Sequence, residues 1–307
     1  MPTDPWLVLA AAGLEGAVGY PRRLHAVAPH PVAWIGAALS FLDRRFNRGG
    51  DLARRLAGAA ALAAVAGAAA LAGRLLDRLD WPVLIIVTGT VGLAARSLYD
   101  HVAAVGRALA SEGGLRAARA AVAMIVGRDV DQLDESGVAA AALESLAESF
   151  NDGVVAPLFW FLVGGLAGLF AYKAVNTADS MIGHREEPYR CFGWAAARAD
   201  DLMNLIPARL AGCLICLVGG RGWRVMRRDA RKHASPNSGW PEAAMAGALE
   251  VSLGGPATYD GAPHARPVFG RGERPSALDL GRGLGLYLRA CAVLAIVLAL
   301  GGLVWPR

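Results

Sequence analysis

Residues 143–185 read "LESLAESFNDGVVAPLFWFLVGGLAGLFAYKAVNTADSMIGHR", and the arrangement of that stretch decides the fold. It opens on Glu144, Glu148 and Asp152, continues without a charge from Gly153 to Tyr172, and closes on Lys173, Asn176, Asp179, His184 and Arg185. A helix that crosses a bilayer needs roughly 20 predominantly apolar residues. Ionisable groups therefore crowd both ends of a segment that is just long enough for lipid. A carboxylate at bilayer depth costs about 2.5–3.5 kcal/mol on insertion scales and persists mainly where it is paired or used.

The rest of the chain supports a lipid-embedded reading. Of its 307 residues 55% are hydrophobic and 19% charged, where a soluble domain carries about 25% charged residues. Aromatics make up only 7%, so Ala, Leu, Val and Gly supply the hydrophobicity, and small residues let helices pack closely in lipid. The mean hydropathy is +0.37. The expected fold is all-α, a polytopic helical bundle of five to six hydrophobic helices with amphipathic helices at the interface. The net charge of +5 sits in short arginine clusters beside apolar runs: Arg22-Arg23, Arg44-Arg45, Arg54-Arg55 and "RGWRVMRRDARKH" at 221–233. That is the pattern of cytoplasmic loops. A basic patch interleaved with aromatics is missing, which excludes nucleic acid as the partner. Cys213 and Cys216 form a C-x-x-C inside "LAGCLICLVGG", where they read as packing residues, without the second pair or nearby His that zinc needs. The N-terminal apolar run has Asp4 in place of a basic flank and is expected to stay as an anchor, not to be cleaved as a signal.

Apolar runs lie near 5–20, 57–76, 82–98, 154–171, 202–220 and 284–305. The whole chain, 1–307, reads as one integral membrane domain. Within it, 99–152 is a polar segment of two or three amphipathic helices, and 221–283 is a polar segment rich in Gly, Pro and Arg. An amphipathic stretch from about Val32 to Phe46 follows the prolines near residue 30. Two topologies fit. Six crossings put the arginine-rich segments on one face, as the positive-inside rule prefers, and place the carboxylates before and after residues 154–171 on opposite faces. If 154–171 dips in and returns, those carboxylates share a face.

Glu144, Glu148 and Asp152 are spaced four apart, on one helical face with about 6 Å of rise per step. Like charges at that spacing repel and call for a cation opposite. Mg²⁺ suits them, since it commonly takes one or two carboxylates plus substrate phosphates. Gly153 and Pro157 are expected to end the helix there. In the second cluster Lys173, Asn176, Thr177, Ser180 and His184 share a helical face, with Asp179 beside Asn176. "RADDLMNLIPARL" (198–210) brings Arg198, Asp200, Asp201 and Asn204 to the mouth of the fifth run. Ser235, Asn237 and Ser238 precede a helix expected to begin near Trp240-Pro241, where hydroxyls and backbone N–H groups make an anion site. Gly254-Gly255 and Asp260-Gly261 mark turns. The chain has no G-x-x-x-x-G-K-[ST] loop, H-E-x-x-H or G-x-S-x-G motif.

Taken together, "LESLAESFNDGVVAPLFWFLVGG", "YKAVNTADSMIGHR" and "YRCFGWAAARADDLMNLIPARL" resemble the signature region of the CobD/CbiB family of cobalamin biosynthesis, adenosylcobinamide-phosphate synthase. "GYPRRLHAVAPHPVAWIG", "VGRDVDQLDESGVAAAALES" and "SPNSGWPEAAMAGALEVSLGGPATYDG" agree in order, so the resemblance covers roughly 13–290. Two positions depart from the family pattern. Ser149 follows Glu148 where the family usually has Asn, and Ala178 stands inside the N-T-L-D pattern. The first puts a role for position 149 in doubt; the second changes a packing residue.

The resemblance implies a multi-pass enzyme of the bacterial inner membrane that joins the free propionate of adenosylcobyric acid to (R)-1-amino-2-propanol O-2-phosphate or a related amino-alcohol. ATP is the implied co-substrate and Mg²⁺ the implied cofactor; homo-oligomerisation is left open. Placed on that chemistry, Glu148, Asp152 and Asp179 are expected to hold Mg²⁺ and the transferring phosphoryl group. Glu144 or Asp179 would take the proton of the amine, and Asn176 would orient the reacting carboxylate or a metal ligand. Lys173, His184, Arg185 and Arg198 would neutralise phosphates, with Asp201 beside them. His30, Trp34, Ser235, Asn237 and Ser238 would line the corrin and phosphate sites. Two rivals belong to other classes: a transporter or channel built on broken helices, and a non-catalytic membrane relative that tolerates loss of Asp152 or Asp179.

Overall fold

The computed structural model describes residues 2–20, 29–259 and 261–306. Arg22, Arg23 and Asp260, which figure in the basic clustering and turn noted above, lie outside the described residues. In chain order the helices are α1 (Pro5–Val18), α2 (Pro31–Phe46), α3 (Asp51–Asp77), α4 (Pro82–Thr90), α5 (Ala95–Leu109), α6 (Leu115–Ala123) and α7 (Glu135–Phe150). A π-helical turn, Asn151–Val155, leads into α8 (Ala156–Ile182), then α9 (Tyr189–Phe192), α10 (Trp194–Met203), α11 (Leu205–Gly219), α12 (Trp223–Asp229) and α13 (Gly239–Leu249). Short strands β1 (Leu253–Gly254), β2 (Ala257–Tyr259), β3 (Ala262–His264) and β4 (Val268–Phe269) precede α14 (Ala277–Leu303). Among the described residues four helical segments are long and apolar enough to cross a membrane, or five if α10 and α11, broken at Asn204, count as one. The first apolar run forms only the 14-residue α1.

Caps follow the sequence. Proline opens α1, α2 and α4, where its missing N–H is an orphan in any case. Asp4 Oδ1 accepts from Trp6 N at 2.9 Å and Asp134 Oδ1 from Gly137 N at 2.6 Å, each satisfying a helix-start donor.

The chain divides into two compact units. The first comprises Met1–Ala94, Ala156–Asn204 and Leu298–Arg307. Its core sets Leu39, Ala61, Leu62, Val175, Ala178, Ile182, Phe192 and Ala196 together. Glycine permits the approach: a Cβ on Gly58 of α3 would overlap the carbonyl of Phe192, and one on Gly73 would meet the Leu166 backbone. The notable irregularity is in α8. Gly165 has φ +66° and ψ −161°, a region essentially closed to other residues. Helical rise over the eight residues from Trp160 to Gly168 is about 12 Å, yet a Cβ on Gly168 would lie 2.5 Å from the carbonyl oxygen of Trp160. The apolar run therefore bends back sharply at Gly165. Asp77, at the end of α3, caps the restart by accepting from Leu166 N at 3.2 Å and Ala167 N at 3.4 Å. The dip-and-return alternative requires an interruption of this kind within 154–171.

The second unit comprises Ala95–Val155 and Leu205–Val297. Residues 99–152 contribute to α5, α6 and α7, and α5 and α6 each bury one face. α7 does not: from Gly137 to Ala147 every residue is buried, so its small side chains serve a core and not an interface. α13 is likewise buried from Pro241 to Leu249. The expected helix end at Gly153-Pro157 is also corrected. A π turn, common at functional sites, carries the chain from α7 into α8, and Pro157 falls in the first turn of the following α-segment, where a missing N–H is tolerated. β1 pairs antiparallel with β4 (Leu253↔Phe269), and β2 with β3 (Thr258↔Pro263); Gly254 N of β1 donates to Glu144 of α7, so β1 lies against that helix.

Candidate functional site

In the second unit α7 and α13 bring carboxylates into one cluster. Glu144, 5% exposed, accepts from Gly254 N at 2.8 Å on Oε1 and from Arg266 Nη1 at 3.0 Å on Oε2. Arg128, also buried, stands 3.4 Å from the same Oε2. One turn on, Glu148 is exposed, and the Ser238 hydroxyl donates to its Oε1 at 2.8 Å. The face that the spacing defines is real as far as Glu148, but its two members live in different media. Asp152 follows within the π turn, half-buried, and Asn151 Nδ2 donates to its Oδ1 at 2.7 Å.

Glu242, on α13 and 1% exposed, completes this cluster. His233 Nε2 lies 3.5 Å from Glu242 Oε1 and Arg266 Nη2 lies 3.7 Å from Oε2; Oε2 has no hydrogen-bond partner. Burial pushes the Glu242 carboxyl well above its ordinary pKa. The charges of Glu148 and Glu144 add to the rise, against the opposing pull of Arg266 and Arg128. The His233 ring is pushed down, chiefly by burial. Its Nδ1 accepts from Ser235 N at 2.9 Å, so the neutral ring carries its proton on Nε2, toward Glu242. Burial also lowers Arg128. Arg266 suffers the same burial, but Glu144 and Glu242 more than offset it and the net shift is upward.

The residues expected to cradle a phosphate before α13 are engaged with one another. Ser235 Oγ accepts from Asn237 N and Ser238 N at 3.2 and 3.4 Å. Asn237 Oδ1 accepts from Arg209 Nη1 at 3.1 Å, and the Arg209 guanidinium lies 4.7 Å from the Trp240 ring centroid. Their common effect is to hold Ser238 toward Glu148. The helix begins at Gly239, one residue from its expected start.

The first unit holds the second expected cluster. Asn176 Nδ2 and Asn204 Nδ2 donate to the two oxygens of Asp200 at 3.3 and 3.0 Å. The buried Tyr172 hydroxyl donates to Asn204 Oδ1 at 3.1 Å. Asp179 is near enough for its charge to act on Asp200, so Asp200 is the hub. Asp201 pairs with Arg198 at 3.3 Å and feels the charge of Arg185. Lys173 is half-buried in α8. Thr177 and Ser180 turn their hydroxyls back onto the carbonyls of Lys173 and Asn176 at 2.6 and 2.9 Å, the local bonding that competes with outside partners. His184 lies beyond the end of α8, not on its face. The helix stops at Ile182, and the exposed His184 ring faces Tyr189 at 5.9 Å. His30 caps α2, its Nδ1 accepting from Val32 N at 3.3 Å, with Tyr20 edge-on at 4.6 Å. Trp34 is exposed.

Glu242, His233, Arg128 and Arg266 were not singled out from the sequence. A signal for Glu242 existed: it is the only charge in "GWPEAAMAGAL", and a lone charge in an apolar helix is rarely idle. Arg128 and Arg266 reach Glu144 across 16 and 122 positions, which spacing cannot show. Among the described residues no three His, Cys, Asp or Glu side chains are grouped to hold a metal ion. An exposed Glu148 followed by a half-buried Asp152 nevertheless fits an Mg²⁺ that arrives with phosphate oxygens and needs only one or two carboxylates from protein.

These features define a polytopic helical membrane protein with buried ionisable clusters at the ends of its apolar helices. Comparison with known sequences gives the family: the profile described as "CobD/Cbib protein" matches residues 8–287, and the chain belongs to the CobD/CbiB family. It is 50% identical over 308 residues to "Cobalamin biosynthesis protein CobD" of Rhodobacter capsulatus, covering 97% of this chain and 98% of that one. It is 47% identical to the protein of that name from Sinorhizobium sp, covering 94% and 95%, and 44% identical to that of Rhizobium meliloti, covering 97% and 96%. No solved structure matches it.

Proposed function

We propose that the protein acts in cobalamin biosynthesis in the bacterial inner membrane, forming adenosylcobinamide phosphate from adenosylcobyric acid and (R)-1-amino-2-propanol O-2-phosphate at the expense of ATP. The observation that carries this reading is Glu148, a solvent-facing carboxylate oriented by Ser238 and backed by buried Glu144, Glu242, Arg128 and Arg266, in a chain of this family. A carboxylate and an ammonium do not condense in water. In the proposed reaction a propionate oxygen takes the γ-phosphoryl group of ATP and ADP leaves. The amine nitrogen then attacks the acyl carbon, phosphate departs, and one proton passes from the nitrogen to a base.

Glu148 and Asp152 are assigned to the metal-bearing phosphates. Mg²⁺ bound there would neutralise charge developing on the transferring group. Glu144 works from behind, fixing Arg128 and Arg266. Within the first unit, Asn176 is assigned to a carboxylate, Lys173, His184, Arg185 and Arg198 to phosphate, and Asp179 to the amine proton or to Mg²⁺. Kinetics separate these two roles: an Asp179→Asn variant with a raised Mg²⁺ requirement marks a ligand, whereas a raised KM for the amine marks the proton acceptor.

Purified protein in detergent, given the corrinoid, the amino-alcohol phosphate, ATP and Mg²⁺, is expected to yield product of the amide's mass with stoichiometric ADP. Asp152→Asn is expected to lower kcat/KM by at least about 100-fold without loss of fold. Folded parent protein that makes no product, or an undiminished Asp152→Asn, rejects the synthase reading. Solute flux in proteoliposomes without product would point to the transporter class.

A further inference from the structure

The second unit contains a cavity of about 590 Å³ that is separate in its lining from the carboxylate cluster. Its lining includes Arg221, Arg224, Arg227 and Arg271, with Trp223 and a single carboxylate, Glu250. The volume lies within the roughly 300–1,000 Å³ typical of small-molecule sites. Its floor is backbone. Gly222 and Gly247 press together so closely that a Cβ on Gly247 would lie 2.8 Å from the Gly222 Cα and 2.8 Å from the Val225 Cβ.

The charges sort themselves by partner. Arg228 and Lys232 reach the buried Asp229 at 2.5 and 2.6 Å, and Arg221 reaches Glu250 at 2.5 Å. Arg224, Arg227 and Arg271 have no carboxylate partner among the described residues. Arg224 and Arg227 are three residues apart on α12, a spacing that puts like charges side by side. A basic segment that pairs Arg221, Arg228 and Lys232 with carboxylates, and leaves Arg224 and Arg227 beside Arg271 at one open cavity, is arranged for an anion. Guanidinium groups recognise phosphate through paired, charge-assisted hydrogen bonds.

We infer that this arginine-lined cavity binds a phosphate-bearing ligand of up to nucleotide size. The inference stands on the cavity and not on the amide-forming reaction. Two sources share the chemistry: a soluble phosphate compound and the headgroup of an anionic phospholipid, which basic juxtamembrane clusters attract.

The full-length protein is titrated with inorganic pyrophosphate by calorimetry in a zwitterionic detergent. Separately, phosphatidylglycerol retained from mixed-lipid nanodiscs is measured by mass spectrometry. Parent protein is expected to bind pyrophosphate saturably, with Arg224→Gln/Arg271→Gln weaker by at least about tenfold and Arg231→Gln, an arginine of the same segment outside the lining, unchanged. If pyrophosphate does not saturate but phosphatidylglycerol is retained by the parent and lost by the double variant, the inference holds with lipid as the source. Equal behaviour of parent, double variant and Arg231→Gln toward both probes overturns it. Should the double variant not fold, the single Arg224→Gln and Arg271→Gln variants carry the same comparison. The assay reads no turnover. Binding lost in the double variant while amide formation continues leaves the pocket standing and divorces it from the reaction; pyrophosphate binding in protein that makes no amide sinks the reaction alone.

Discussion

Glu144 and Glu148 are one helical turn apart and look equivalent in sequence, but the protein treats them as different kinds of residue. Glu144 is locked between Gly254 N–H, Arg128 and Arg266. Removing one member of a buried ion group strands the others, which typically costs about 3–5 kcal/mol. Glu144→Ala is therefore expected to destabilise by that amount in thermal or denaturant unfolding, whereas exposed Glu148→Ala stays within about 0.5 kcal/mol of the parent and loses activity. Equal stability losses would refute the distinction. Glu242 adds a pH dependence. Its folded pKa is raised by burial and by Glu148 and Glu144, against Arg266 and Arg128. Its contribution to stability is thus complete below the ordinary carboxylate pKa and is lost as pH climbs toward the raised value. His233, lowered by burial, has the opposite sign: its contribution is present above the ordinary imidazole pKa and fades as pH falls. Glu242→Gln should therefore flatten the decline in Tm on the alkaline side of the ordinary carboxylate pKa while leaving the acid limb; parallel curves for variant and parent would show that Glu242 titrates normally. The sequence exposed Glu144, Glu148 and Asp152 because helical spacing is local. It concealed what separates them, because Arg128 comes from the loop before α7 and Arg266 from the loop between β3 and β4.

At the scale of elements, the 143–185 stretch shows where periodicity stops being informative. Its apolar length was legible, and so were its glycines, but a Gly-Gly pair is equally compatible with a straight lipid-packed helix. The deciding partner is Asp77, whose carboxylate meets the Leu166 and Ala167 N–H groups from almost ninety residues away. Likewise Pro157 signals a helix end only if the preceding turn is α; the π turn at Asn151–Val155 accommodates it. The break at Gly165 makes a sharp prediction. Any Cβ there meets Asp77 Oδ2 at 2.6 Å, on top of about 1–3 kcal/mol for a backbone conformation reserved to glycine. Gly165→Ala should thus lower stability by at least that much, while Asp77→Ala, which only uncaps the second half of α8, should cost about 1 kcal/mol. If Gly165→Ala unfolds no more easily than Gly164→Ala, where a Cβ meets nothing within 4 Å, then α8 is not broken at Gly165.

At the scale of the whole molecule, composition alone announced a membrane protein, because 55% hydrophobic residues cannot all be buried in a chain of this size. The structure shows where the surplus goes. On α3, Leu52, Leu56, Leu71 and Leu75 are exposed, and on α14, Leu288, Ile296, Val297, Leu300 and Leu303 are exposed. Exposed apolar side chains in that number mark a surface made for something other than water. The two candidate spans bury only 22% and 28% of their most apolar windows, so most of each faces outward. Charge placement tests this directly, since the same substitution has different consequences in lipid and in water. On a water-exposed helix Ile296→Arg would change stability by no more than about 0.5 kcal/mol. In the apolar middle of α14 it should cost about 2.5–3.5 kcal/mol of insertion free energy, read as a fall in the fraction resistant to alkaline carbonate extraction. Arg289, already exposed near the polar end of the same helix, sets the comparison: Arg289→Leu should leave the resistant fraction intact. If Ile296→Arg integrates as completely as the parent, α14 is not held in lipid at that depth, and the exposed leucines of the bundle require another cover.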